Sequence, residues 1–413
     1  MKFIEERIMD NVFFETEENV DFYLETVHRY ILKMWAQLYS VSSSQLLVPL
    51  FSLMTSVYKL SPKLCEYAWN CTQGEIDLRV LLKQSPSSFP LFTSEVKLLC
   101  ALASSPMVAE EIFDWLLHYS FNEHLHWEVF YDLLTFCASN PTGEDGSQQV
   151  VVVLKLLRAL CRSSKSLLLR NFSLFKPLVG TLIRLFHNSE YLYVRASIMK
   201  IFSSFCLADS AGYQISIGLY EKYGVKNCQR SIVDIIELHF REETSLNQTS
   251  AFFGLMSAVL KAFKTFRLNN SDIFYSSSLS QCVQLSVKIL TDRQFFSKKK
   301  LIRSCLHFCC SLLKNSSRLA LQKGIRQPCV KKLVCSLLQP ESFRNGILCN
   351  IFSILLGSDF LREEFDSIFD VASRKKFWDS LLTAYYALDL LTLLLCEFYI
   401  FIYYYYRYYL LLL

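Results

Sequence analysis

Three groups of side chains in this 413-residue chain have types and spacings that invite a chemical reading. The first is Cys305, His307, Cys309 and Cys310, where Cys305 and Cys309 fall one helical turn apart and suggest zinc. A complete site needs four ligands at recognisable spacing, and the chain holds no paired CxxC. Core cysteines are therefore the expected reading. The second group is His124-Leu125-His126 with Glu123 and Glu128. Residues two apart do not share a helical face, so surface or turn histidines are expected rather than a metal centre. The third is basic: Lys298-Lys299-Lys300 with Arg303, then Lys331-Lys332, then Arg374-Lys375-Lys376, with Phe295-Phe296 beside the first cluster. Brought to one face, Lys298, Lys299, Lys300, Arg303, Lys331 and Lys332 would form a ridge for an acidic peptide or a phosphate backbone. The competing reading is a set of unrelated solvated turns, with Asp292 and Glu341 diluting the charge. Phe295 and Phe296 would then anchor a partner or staple a helix.

Signature motifs of catalysis are missing. The sequence has no nucleophile elbow, phosphate loop, dinucleotide fingerprint or HExxH pair. Eleven glycines leave little material for phosphate-cradling loops. The expectation is a non-catalytic protein without a cofactor.

The elements that would position these groups are helices. Glycine and proline are scarce, at 11 and 9, and hydrophobic residues make up 52%. The clearest stretch runs from Val151 to Ser210. Leu154, Leu157, Leu160 and Cys161 recur at three- and four-residue spacing, as do Leu178, Leu182 and Leu185, then Val194, Ile198, Ile201, Phe202 and Phe205. Short polar breaks at Ser163-Ser164 and His187-Asn188-Ser189 separate the stripes. The same phrase, an apolar helix followed by a small polar turn, returns at Ser104-Ser105, Asp209-Ser210, Asn269-Asn270-Ser271, Asn315-Ser316-Ser317 and Gly357-Ser358. Steps of 59, 46, 61, 46 and 41 residues separate these turns, near the period of two- and three-helix repeats. SSKSLLLRNF (163–172) and SSRLALQKGI (316–325) align without a gap.

On residues 171–206 and 315–338 the chain resembles the armadillo/HEAT superfamily of α-solenoids, a likeness of pattern spread over about residues 40–370. The resemblance implies an all-α fold: a right-handed stack of helical hairpins over about residues 20–380, followed by an apolar C-terminal tail helix. Repeat length drifts, and the turn glycine typical of armadillo repeats stands only at Gly324 and Gly357. Such a fold implies a scaffold or adaptor that holds partner peptides or helices along an extended surface. A chromatin- or nucleic-acid-associated factor using the basic ridge is one alternative, and a tail-anchored membrane protein is another.

Charge divides the chain. Residues 1–150 hold 9 Lys and Arg against 20 Asp and Glu, a balance of −11; residues 151–413 hold 34 against 18, a balance of +16. The expected organisation is acidic helical repeats over 1–140, a polar loop at 141–149, basic repeats over 150–380 and a low-complexity tail over 381–413. Fifteen cysteines, set singly on apolar stripes, and the charged start MKFIEERIMD suggest an intracellular protein, cytoplasmic or nuclear. The tail LLTAYYALDLLTLLLCEFYIFIYYYYRYYLLLL supports three readings: a membrane anchor, a non-native end, or a helix packed at the end of the body. Asp389 and Glu397 inside the span oppose the first.

Overall fold

A computed structural model describes residues 17–40, 44–70, 77–84, 89–119, 125–140, 143–206, 215, 230–262, 278–295, 298–323, 333 and 382–394. These residues are all-α, with no β-sheet among them. The chain divides into two compact units, Met1–Phe205 and Cys206–Leu413.

The first unit holds α1 (Glu17–Ser40), α2 (Ser44–Tyr58), α3 (Pro62–Asn70), α4 (Leu78–Gln84), α5 (Phe89–Leu102), α6 (Pro106–Asp114), α7 (Trp127–Ser139), α8 (Glu144–Ser163), α9 (Lys165–Arg170), α10 (Phe172–Asn188) and α11 (Leu192–Phe205). A π-helical turn, Trp115–Tyr119, extends α6. Every third helix packs on the last: α2 on α5, α5 on α8, and α8 on α11. In a second row, α3 packs on α6 and α7 on α10. The core between the rows includes Trp35, Phe51, Trp69, Phe113, Phe130, Phe175, Phe186, Phe202 and Phe205, all with less than 2% of their surface exposed.

Local chemistry sets the breaks. Ser105 is extended and Pro106 opens α6, where a missing N–H costs nothing. Ser164 ends α8 in extended backbone, and its hydroxyl accepts from the Leu167 N–H at 3.2 Å to start α9. The expected loop at 141–149 is shorter than its composition suggests. Helix α8 begins at Glu144, because Gly143 takes an extended cap conformation and Glu144 and Asp145 place negative charge on the helix N-terminus. The 141–149 stretch therefore lies inside the first unit, and Ser147 and Val150 are already buried.

Successive helices are joined at their ends by polar side chains that take up C-terminal carbonyls, which a helix leaves without partners. Ser163 donates to the Ala103 carbonyl. Asn188 Nδ2, ending α10, donates to the Ala138 carbonyl of α7 at 2.7 Å. Cys65 Sγ lies 3.8 Å from the Ala101 carbonyl and 3.4 Å from Ser104 Oγ. Glu66 of α3 accepts from Ser105 Oγ at 2.6 Å. One step along, Glu110 of α6 accepts from Ser164, Ser166 and Arg170. A carboxylate on one helix thus holds the serine turn of the next step, twice in succession.

The second unit holds α12 (Ile232–His239), α13 (Leu246–Ala262), α14 (Ser278–Thr291), α15 (Lys299–Lys323) and α16 (residues 382–394). Among the described helices, α12 packs with α14 and α13 with α15. Ser231 and Asp234 form a reciprocal cap at the start of α12. The expected turn at Asn315-Ser316-Ser317 is not a turn. Helix α15 runs through it, and buried Asn315 donates Nδ2 to the Leu260 carbonyl at 3.0 Å. Its polarity serves the neighbouring helix end rather than a break, so residues 316–323 are helical where the aligned segment from Ser163 breaks at Ser164. The polar stretch 241–249 likewise holds a 3₁₀ turn, Glu243–Ser245, and the first residues of α13.

Of the tail, α16 packs against α15. Ala387, Leu390 and Leu394 are buried, Cys310 Sγ donates to the Tyr386 carbonyl at 3.4 Å, and Lys314 pairs with Asp389 at 2.7 Å. Asp389, costly inside a bilayer, meets a cation here. Among the described residues no helix is long and apolar enough to cross a membrane. Residues 395–413 lie outside the described part.

Candidate interaction surfaces

The cysteines of α15 point inward. Cys305, Cys309 and Cys310 are buried, and burial pushes the Cys309 thiol up to about 12 and raises Cys305 and Cys310 as well. A thiol held this far from its thiolate packs as a small apolar group. His307 Nε2 faces Lys261 Nζ at 3.0 Å, and its ring lies 4.7 Å from that of Tyr386. Burial, then the Lys261 and Lys314 ammonium groups, lower its pKa to about 4, so the imidazole is neutral and accepts from Lys261. His126 caps α7, accepting from the Glu128 N–H at 3.3 Å; His124 lies outside the described residues. Among the described residues, no group of three His, Cys, Asp or Glu side chains is placed to hold a metal ion.

The basic residues singled out in the sequence are partly engaged. Lys298 pairs with Glu243 of the 3₁₀ turn, and Lys300 Nζ donates to Asn247 Oδ1 at 3.3 Å. Lys299 and Arg303 stand on the first turns of α15, half-buried and with interactions of their own. Lys331, Lys332 and Phe296 lie outside the described residues. Phe295 is 3% exposed and packs on Phe240 with ring centroids 6.0 Å apart, which makes it a core staple and not an anchor for a partner. Lys298 and Lys300 thus reach over to the start of α13, and their charge is partly spent within the unit.

A different basic cluster, which the sequence reading passed over, lies on the first unit. It is assembled from three helices of the every-third-helix row. Lys155, Arg158 and Arg162 lie at i, i+3 and i+7 along α8 and share one face. Cys100 of α5 donates Sγ to the Lys155 carbonyl at 3.7 Å, which fixes α5 against α8 at this level. Lys97 is one turn before Cys100, and Lys59 directly follows α2. Burial raises the Cys100 thiol, while the charges of Lys59, Lys155 and Arg158 draw it down. Arg158 is half-buried; burial and the charge of Arg162 lower its pKa. Its Nε is buried and has no acceptor among the described residues. The cluster was hidden in the sequence because its five members are spread from Lys59 to Arg162 and sit in or next to the acidic segment. Only the contacts of α2, α5 and α8 gather them.

A cleft of about 590 Å³ opens elsewhere on this unit, between α3, α4 and α6. Trp69 and Trp115 meet edge to face at 5.9 Å in its wall, and Arg79 pairs with Asp77 at 3.1 Å. Burial, offset by Arg79 and reinforced by Asp114, raises the Glu111 carboxyl above its ordinary value. Lys83 and Asp114 complete a lining of mixed charge.

Compared with known proteins, the chain matches no family model and no curated protein sequence.

Proposed function

We propose that the chain is a non-catalytic scaffold of the armadillo/HEAT kind, a right-handed α-solenoid that binds partner proteins along its stacked helices. The observation that carries this reading is the regular step of helix packing. In the first unit α2, α5, α8 and α11 follow one another at every third helix, and in the second α12 packs with α14 and α13 with α15 among the described helices. Stacks of this type present area in proportion to length, and area without an enclosed pocket suits macromolecular partners. The buried, protonated cysteines and the neutral His307 favour packing over catalysis.

Affinity capture of the full chain from cell extract tests the reading. The expected result is a small set of proteins that survives both nuclease treatment and a rise from about 50 to about 200 mM salt. Recovery of nucleic acid with its own proteins, lost on nuclease treatment, would overturn it.

A further inference from the structure

We infer that the face formed by Lys59, Lys97, Lys155, Arg158 and Arg162 binds a short acidic segment of a partner protein. This rests on the scaffold reading and names the chemistry of one partner. Four of the five, Lys59, Lys97, Lys155 and Arg162, are exposed. No side chain of the five has a carboxylate partner among the described residues, whereas elsewhere in the unit Arg170 pairs with Glu110 and Arg79 with Asp77. Acids on the same helices stand away from the face. Glu95 of α5 is fully buried. Glu144 and Asp145 occupy the first turn of α8, about 15 Å of helix rise before Lys155. Like charges at i, i+4, as at Arg158 and Arg162, repel, and the buried Arg158 Nε without an acceptor is costly. The cluster is therefore unfavourable alone and is relieved by carboxylates, which a guanidinium takes in charge-assisted and often bidentate bonds.

Size and surroundings favour a peptide over nucleic acid. Lys155 to Arg162 covers about 10 Å along α8, and crossing to α5 and on to the end of α2 adds two interhelical steps of about 9 Å. An extended segment of about eight residues spans the longer path. Beyond the patch the unit is not basic: residues 1–205 hold 18 Lys and Arg against 21 Asp and Glu, a balance of −3. A nucleic acid longer than the patch would find no further net positive charge in this unit. A short Glu- or Asp-rich segment would stay on the cations.

The test is fluorescence anisotropy of a labelled glutamate-rich peptide of about ten residues with the full chain, against the Lys155→Glu/Arg162→Glu double variant. Both positions are exposed, so the fold is retained, and far-UV circular dichroism checks it. Arg158→Gln is the second variant. The expected result is saturable binding that weakens at least tenfold in the double variant, weakens in Arg158→Gln, and falls as salt rises from about 50 to about 200 mM. Equal affinity for wild type and the double variant overturns the assignment, as does no binding at the lower salt. A single-stranded oligonucleotide that binds more tightly than the peptide and is lost with the same residues would assign the face to nucleic acid instead. Should the double variant still capture the full set of salt-stable proteins, the scaffold reading stands and this surface assignment falls.

Discussion

Replacing Phe175 with alanine should destabilise the first unit strongly. Phe175 is fully buried on α10 and touches three aromatic rings on three other helices or their caps. It stacks on Phe113 at 5.6 Å and meets Trp127 at 5.3 Å and Phe205 at 5.6 Å edge to face. A buried Phe→Ala change costs about 3–5 kcal/mol, and the lost ring pairs place this site in the upper half of that range, about 4–5 kcal/mol. For a cooperative unit of this size each kcal/mol moves Tm by about 2–4 °C, giving a fall of about 8–20 °C. The control is Phe136→Ala on α7, where the ring is 63% exposed and the cost should stay within about 0.5 kcal/mol. Tryptophan fluorescence during heating is the assay, because Trp35, Trp69, Trp115 and Trp127 belong to the first unit and only Trp378 to the second. Equal shifts for Phe175→Ala and Phe136→Ala would refute the placement of α10 between α7 and α11.

Two further predictions follow from single side chains. Ser104→Cys should form a disulfide with Cys65 on mild oxidation, since the Cys65 sulfur and the Ser104 oxygen are 3.4 Å apart; peptide mass spectrometry reads the linked pair, and its absence contradicts the register of α3 against the end of α5. His307, lowered to about 4 by burial and by Lys261 and Lys314, binds its proton less readily folded than unfolded, so stability is full above about pH 6.5 and falls as pH drops toward 4. His307→Gln keeps an acceptor near Lys261 and should flatten that part of the pH profile in urea melts, whereas an unchanged slope would place the titration elsewhere.

The helices were legible because their apolar stripes have one dominant period. The Leu154, Leu157, Leu160 stripe and the Val194 to Phe205 stripe lie on α8 and α11, and the serine turns at 104–105 and 163–164 are real breaks. Composition misled where polar residues serve tertiary neighbours. Glu144 and Asp145 read as loop but favour a helix start, and Asn315 reads as a turn but takes the Leu260 carbonyl from inside α15. Charge misled in the same way. The balance of −11 over residues 1–150 says nothing of which helix face carries each charge, so Lys59 and Lys97 vanished into an acidic average until α8 brought Lys155, Arg158 and Arg162 beside them. The run at 298–300 was conspicuous in sequence, yet its Lys298 is paired with Glu243. Residues gathered by packing leave no linear signal.

Cys100 offers the most direct test of the central claim, that partner proteins dock on the every-third-helix row. Among the described cysteines it alone is not fully buried, and it lies amid Lys59, Lys155 and Arg158. Its alkylation rate, read by peptide mass spectrometry, should be compared for the free chain and for the chain saturated with a purified partner recovered by capture. The account predicts that the partner slows alkylation of Cys100 and that the Lys155→Glu/Arg162→Glu chain loses the protection. An unchanged rate in a saturated complex would mean that partners dock elsewhere, and would contradict it.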